Sequence, residues 1–237
     1  NARNNLGYVY QRMGRTDEAL AQCEAALAVR KRLGYLDQLG YSYNVIGMIR
    51  VEQLRPHEAV DNFEQALKCF RTIGLARGEA TVLVAYGRLI RQWGEYKQRI
   101  AGGHDQSYRE DYQRSGEMLR QAIAIFRGQY DRLSLMEAYN EYGTLLRQQE
   151  DWRGAHNQYR LSLDLAYGLQ NNYRIADNLS DFGILYFRKA RSAQMETDDY
   201  AKALKYSKDA IEKAKGTKAY YLISKASQTA ASIYFYL

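Results

Sequence analysis

Glycine recurs in this 237-residue chain at positions 7, 47, 87, 143 and 183, at intervals of 40, 40, 56 and 40. The odd interval is one 40-residue period plus 16 extra residues. A large apolar or aromatic side chain precedes each glycine: Leu6, Ile46, Tyr86, Tyr142 and Phe182. Downstream comes a pair of small residues seven apart: Ala19/Ala26, Ala59/Ala66, Ser115/Ala122, Ala155/Ser162 and Ala203/Ala210. A larger residue often stands between them, as Phe63, Leu119 and Tyr159 do. Such a period describes a two-helix unit that cannot bury its apolar face alone and must stack on its neighbours. Glycine on the first helix and small residues on the second let the two backbones approach closely. A bulkier residue at Gly47 or Gly143 is expected to overpack that contact by about 1–3 kcal/mol.

The spacing predicts first helices at 2–13, 37–53, 77–93, 132–149 and 171–191, and a sixth at about 218–237. Second helices are predicted at 16–33, 56–73, 113–127, 152–168 and 199–215. An average composition would supply about a dozen prolines. This chain has one, Pro56, at the start of a predicted helix, where it costs no hydrogen bond. Gly34, Gly74, Gly128, Gly168 and Gly216 follow the second helices and are expected to close them in the left-handed conformation.

The Leu6-Gly7-x-x-Tyr10 motif, followed by Glu18-Ala19 and Ala26-Leu27, resembles the tetratricopeptide repeat. Ala231 and Tyr234 continue the pattern in the last helix. The period is 40 rather than 34, and the early tryptophan and closing proline of the repeat are missing. Long-period repeats of this kind are similar to those of kinesin light chains, spindle-orientation adaptors and the sensor arms of bacterial signal-transduction ATPases. The resemblance implies an all-α, right-handed superhelical solenoid over residues 1–237, with five full helix pairs and a sixth first helix. Insertions at about 95–114 and 189–200 both fall in the turn from first to second helix, and so are expected on one edge.

In the resembling family the first helices line a concave groove that holds a peptide or protein. The residues at −3, +1, +4 and +5 from each glycine are expected to face it. The −3 row includes Asn4, Asn44 and Asn140, and the +1 row Tyr8, Met48 and Arg88. Arg91 and Arg147 stand at +4, and Arg12 and Arg188 at +5. Asparagine amides can both donate to and accept from an extended peptide backbone, or simply line a solvated face. Arg88, Arg91 and Arg147 would add forked donors suited to the carboxylates of an acidic or C-terminal segment, or be ordinary surface cations.

Composition narrows the remaining classes. The net charge of +7 favours anionic partners, yet no one-base-per-repeat code supports nucleic-acid binding. His57, His104 and His156 lack matched nucleophiles or metal ligands, and no phosphate-loop or hydrolase motif occurs, so neither enzymatic activity nor a cofactor is expected. Gly102-Gly103-His104-Asp105 lacks the lysine of a phosphate loop. Cys23 and Cys69 read as buried thiols of a reducing, cytoplasmic protein. No run of apolar residues reaches membrane-spanning length, so no membrane partner is expected. The chain starts without Met and both ends read as helix interior, which suggests a fragment of a longer protein. Two functions fit: a peptide- or protein-binding scaffold, and a sensor or autoinhibitory arm that docks on other domains of a parent chain. Nucleic-acid binding is the weakest reading.

Overall fold

The computed structural model describes residues 6–7, 9–10, 13–100, 106–192 and 197–236. Among these are ten helices and no strand: α1 (Thr16–Leu33), α2 (Leu36–Glu52), α3 (Pro56–Thr72), α4 (Ala76–Ile100), α5 (Ser107–Gly128), α6 (Arg132–Gln148), α7 (Trp152–Gly168), α8 (Asn172–Ser192), α9 (Thr197–Lys215) and α10 (Tyr220–Tyr236). The chain divides into two compact units, residues 1–129 and 130–237. Within each unit a helix packs on its sequence neighbours, and α2 on α4, α6 on α8 and α8 on α10.

The glycine positions do what the repeat requires. A Cβ on Gly47 would stand 2.7 Å from the Phe63 ring, and one on Gly143 2.7 Å from the Tyr159 ring. Both rings are fully buried. Where the small residue of the second helix is serine, it also ties the pair. Ser115 Oγ donates to the Gly87 carbonyl, and Ser162 Oγ to that of Met136, each at 2.8 Å.

The connections reveal a shorter module. Left-handed residues occur at Gly14, Gly34, Leu54 and Gly74, and again at Tyr130, Glu150 and Gln170, 20 residues apart within each run. Lys218 is another. At most of these turns the N–H of the residue after the left-handed one reaches back to a carbonyl in the last turn of the helix, as Arg55 N does to Arg50 O at 2.9 Å. Gly34 and Gly74 adopt the expected conformation, with φ of 72° and 65°. Gly128 and Gly168 do not. They end their helices, and the left-handed residue comes two positions later, at Tyr130 and Gln170. Gly216 is likewise replaced in this role by Lys218. Helix length, counted from the packed stripe, fixes where the chain reverses, whatever residue stands there.

The extra residues lengthen helices. α4 continues to Ile100 and α5 begins at Ser107, joined by Tyr112 Oη donating to Gln98 Oε1 at 2.9 Å and by a Lys97–Asp111 ion pair at 2.7 Å. In the second unit α8 runs to Ser192, and Lys189 pairs with buried Asp199 of α9 at 2.7 Å. Gly102, Gly103, His104 and Asp105 lie outside the described residues.

Candidate interaction faces

In the first unit, α2 and α4 lie side by side and leave a cavity of about 210 Å³ between them. Met48, Val51 and Glu52 come from α2, and Ala85, Arg88, Leu89 and Gln92 from α4. Phe63 of α3 forms its floor. The i, i+4 spacing of Met48/Glu52 and of Arg88/Gln92 puts these pairs on one helix face. Among the lining residues Glu52 and Gln92 are exposed, while Leu89 and Phe63 are buried. The structure thus brings together Met48 and Arg88 of the anticipated groove residues.

Other anticipated groove residues lie deeper. Asn44 is buried, and its Oδ1 has no hydrogen-bond partner among the described residues. Arg91 and Arg147, expected as open cations, are each only 7% exposed. Asn44, Val84 and Ser180 at −3 and Arg91 and Arg147 at +4 are buried, whereas Asn140, Val51 and Phe187 in the same rows stay half-exposed. The half-exposed stripe is narrower and runs through +1 residues such as Met48, Arg88, Thr144 and Ile184. Arg188 is exposed on α8. Asn4, Tyr8 and Arg12 lie outside the described residues.

In the second unit the face of α6, α8 and α10 carries a polar network. Asn140 Nδ2 donates to Asp181 Oδ2 at 2.8 Å and to Asn178 Oδ1 at 3.2 Å. Lys225 of α10 donates to Asp181 Oδ1 at 2.8 Å and to Asp177 Oδ1 at 3.1 Å. Arg147 Nε donates to the Tyr159 hydroxyl at 3.0 Å, and Thr144 Oγ1 lies 3.1 Å from the same oxygen. Burial opposes charge on Asp181, but Lys225, Arg147 and the Asn140 hydrogen bond together hold its carboxyl below the usual range. Asp177 moves the other way, raised by burial and by the neighbouring Asp181. Two carboxylates raise the Lys225 ammonium against its own desolvation. Asn140 and Arg147 thus have internal hydrogen-bonding roles that single-sequence reading missed, because their partners lie 12 to 41 residues away.

Two further cavities lie elsewhere. One of about 640 Å³ opens between α3, α4 and α5, with Leu67, Leu83 and Met118 among its walls. There the Tyr86 hydroxyl accepts from Arg114 Nη2 at 2.6 Å and donates to Glu64 Oε1 at 3.2 Å. Burial pushes the Tyr86 phenol up to about 12. The other, of about 560 Å³, lies in the second unit where α7 begins beside α8. No helix among the described residues is long and apolar enough to cross a membrane.

The tetratricopeptide repeat family model matches residues 1–72. Comparison with curated proteins gives no match. Among solved structures, the apo form of RapI is similar over 98% of this chain and 81% of its own, with a TM-score of 0.64 at 15% identity. A Rap protein complexed with competence and sporulation factor gives a TM-score of 0.67 at 14% identity, over 98% of this chain and 62% of its own. A signal transduction ATPase with a tetratricopeptide repeat sensor, from Pyrococcus horikoshii, gives 0.66 at 15% identity. That match covers 98% of this chain and 32% of the ATPase. The chain therefore spans less than two thirds of the latter two proteins. In fold it is an all-α, tetratricopeptide-repeat-like solenoid, and its first 72 residues match the tetratricopeptide repeat itself.

Proposed function

We propose that this protein is an interaction scaffold whose first helices hold a peptide segment of a partner protein. The observation that carries this reading is the cavity between α2 and α4. Its volume of about 210 Å³ suits one large apolar side chain, with Val51, Leu89 and Phe63 as walls. Arg88, Glu52 and Gln92 stand at the same cavity and supply polar contacts to the backbone or to a flanking charged residue. The net charge of +7 favours an acidic segment. The likeness to a Rap protein solved with competence and sporulation factor supports a peptide or protein partner. Cys23 and Cys69, buried as free thiols, fit a cytoplasmic protein.

A peptide-display selection tests the proposal. Enriched sequences are expected to share one apolar anchor, and their affinity to fall about ten-fold or more in Met48→Asp, which puts a charge beside the apolar pocket. Arg88→Glu is expected to weaken acidic peptides selectively. Selected peptides that bind wild type and Met48→Asp equally would overturn the assignment. The likeness to an ATPase sensor supports a second reading, in which the partner segment belongs to another domain of the same polypeptide. Binding to a domain adjoining this one in the parent sequence, blocked by the selected peptides, would decide for it.

A further inference from the structure

The outer face of α10 carries an uncovered aromatic patch. Tyr220, Tyr221, Tyr234 and Phe235 are 76%, 72%, 58% and 86% exposed. Between them the same face presents Ser224, Ser227, Gln228 and Ala231, all exposed. On the opposite side of the helix, Leu222 and Ala226 pack against Ala176 and Leu179 of α8 and Ala210 and Ala214 of α9. Lys225 is the one charged residue of α10, and it is tied to Asp177 and Asp181. We propose that the outer face pairs with the same face of a second copy of this chain, antiparallel and about a two-fold axis.

The exposed residues are arranged symmetrically about the point between Ser227 and Gln228. Tyr220 and Phe235 stand equally far from it, as do Tyr221 and Tyr234, and Ser224 and Ala231. A two-fold contact requires such self-complementarity, residue i meeting j while j meets i. Antiparallel pairing sets Ser224 against Ala231 of the other copy, so the backbones approach closely near the centre. Tyr220 then meets Phe235 at both ends, with Tyr221 and Tyr234 flanking them. Ser227 and Gln228, which both donate and accept, face each other across the axis. With Ala231 in the place of the repeat glycine, α10 departs from the other first helices where this symmetry needs it. At the position of Ser227, α2, α4, α6 and α8 carry the large side chains Tyr43, Leu83, Tyr139 and Leu179. At the positions of Tyr220 and Tyr221 none of them has an aromatic pair. The face is therefore not built like the others, each of which takes a second helix of the repeat. Aromatic side chains bury about 150–250 Å² each, so the face offers roughly 700 Å², near the ~800 Å² per partner of a stable protein interface. An uncharged centre with aromatic anchors is also the composition such interfaces favour.

Sedimentation of the full chain from about 1 to 100 µM covers the weaker affinities known for interfaces of this size. A reversible dimer is expected, and Tyr221→Asp/Phe235→Asp should weaken it about a hundred-fold or more. Both side chains are exposed, so the helical circular dichroism of that variant should match wild type. Cysteine cross-linking reads the register. Cys23 and Cys69 are buried, so wild type should form no disulfide-linked dimer under mild oxidation. Ser227 lies beside its own copy, so Ser227→Cys should link the two chains. Ser224 and its copy would stand about 10 Å apart along the helix axis, beyond the reach of a disulfide, so Ser224→Cys should not. The pair Ser224→Cys/Ala231→Cys should link again. A chain that stays monomeric would overturn the proposal and leave the face to a helix of another protein. So would a dimer indifferent to Tyr221→Asp/Phe235→Asp, or one in which Ser224→Cys links as fast as Ser227→Cys. Met48→Asp should dimerise like wild type, because α10 belongs to the second unit and the peptide cavity to the first.

Discussion

Replacing Gly143 by alanine tests the central packing device of the repeat against an internal control. The new methyl would sit 2.7 Å from Cδ1 and 2.8 Å from Cε1 of Tyr159. Carbon atoms rest at about 3.5–4.0 Å, so ring or helix must yield by roughly 1 Å. The ring has little freedom to yield. It is fully buried, and its hydroxyl is held by Arg147 Nε at 3.0 Å and Thr144 Oγ1 at 3.1 Å. Overpacking of this kind costs about 1–3 kcal/mol, and a broken tyrosine hydrogen bond about 1 kcal/mol more. Against that, alanine gains about 1 kcal/mol over glycine within a helix. The net expectation is a loss of about 1–3 kcal/mol by these figures. Gly87 holds the equivalent position in another repeat, yet a methyl there would meet Leu119 Cγ at 3.3 Å and nothing nearer. Gly87→Ala should therefore be neutral or stabilise by up to about 1 kcal/mol. Urea unfolding of both variants, compared by midpoint at constant slope, reads the difference. The double variant Gly143→Ala/Tyr159→Leu, which copies the Gly87–Leu119 arrangement, should be less than additive. If Gly143→Ala proves as stable as Gly87→Ala, close helix approach is not what the glycine provides.

Lys225→Met should cost about 3–5 kcal/mol at pH 7, because it leaves Asp177 and Asp181 buried together without their shared cation. The two proteins should also respond oppositely to acid in pH-dependent urea melts. In wild type the depressed Asp181 pKa gives stability that is present above the usual carboxylate value and lost as pH falls through the folded one, an effect softened by the raised Asp177. In Lys225→Met both folded values lie above the unfolded value of about 3.9, so stability should rise as pH falls from 7 toward that value. A Lys225→Met profile parallel to wild type would refute the coupling. Burial raises the Cys23 thiol to about 11 and raises Cys69 as well, so an aromatic disulfide reagent at pH 8 should modify both far faster in denaturant than in the native state. Fast modification of either native thiol would contradict its burial. Tyr130 has φ of 56° and its side chain is 89% exposed, so Tyr130→Gly should stabilise the chain by up to about 1 kcal/mol in thermal or urea melts. Destabilisation by that replacement would show that the tyrosine ring contributes more than its backbone strain costs.

The helix pairs and their close contacts were legible because both halves of each contact leave a mark in sequence. Gly47 with Phe63, Gly87 with Leu119 and Gly143 with Tyr159 recur in register, and the structure places each pair together. Orientation around the first helices was less legible. A helical stripe defines one packed face but not how far burial extends around it. Arg91 and Arg147 are buried where spacing alone put them on an open groove, and Arg147 is held by Tyr159 of the second helix α7. Leu54, Tyr130, Glu150, Gln170 and Lys218 gave no sign of left-handed backbone, since none is glycine or asparagine. The available signal was their fixed distance from the packed stripe: Leu54 and Glu150 stand seven residues after Gly47 and Gly143, and Tyr130, Gln170 and Lys218 eight after Ala122, Ser162 and Ala210. The Asp181–Lys225 pair joins residues 44 apart through the packing of α8 on α10, and no local pattern announces it.

The 20-residue module also bears on how the chain is made. In each unit every helix contact joins sequence neighbours or next neighbours, so no segment waits for a distant partner. A ribosome releases roughly 5–20 residues per second, so a 40-residue pair takes about 2–8 s to emerge. Local helical structure orders in microseconds to milliseconds. Each helix can thus close on its predecessor while the next is still being synthesised. The apolar surface open to a chaperone or a protease at any moment is then about one helix face rather than a whole core.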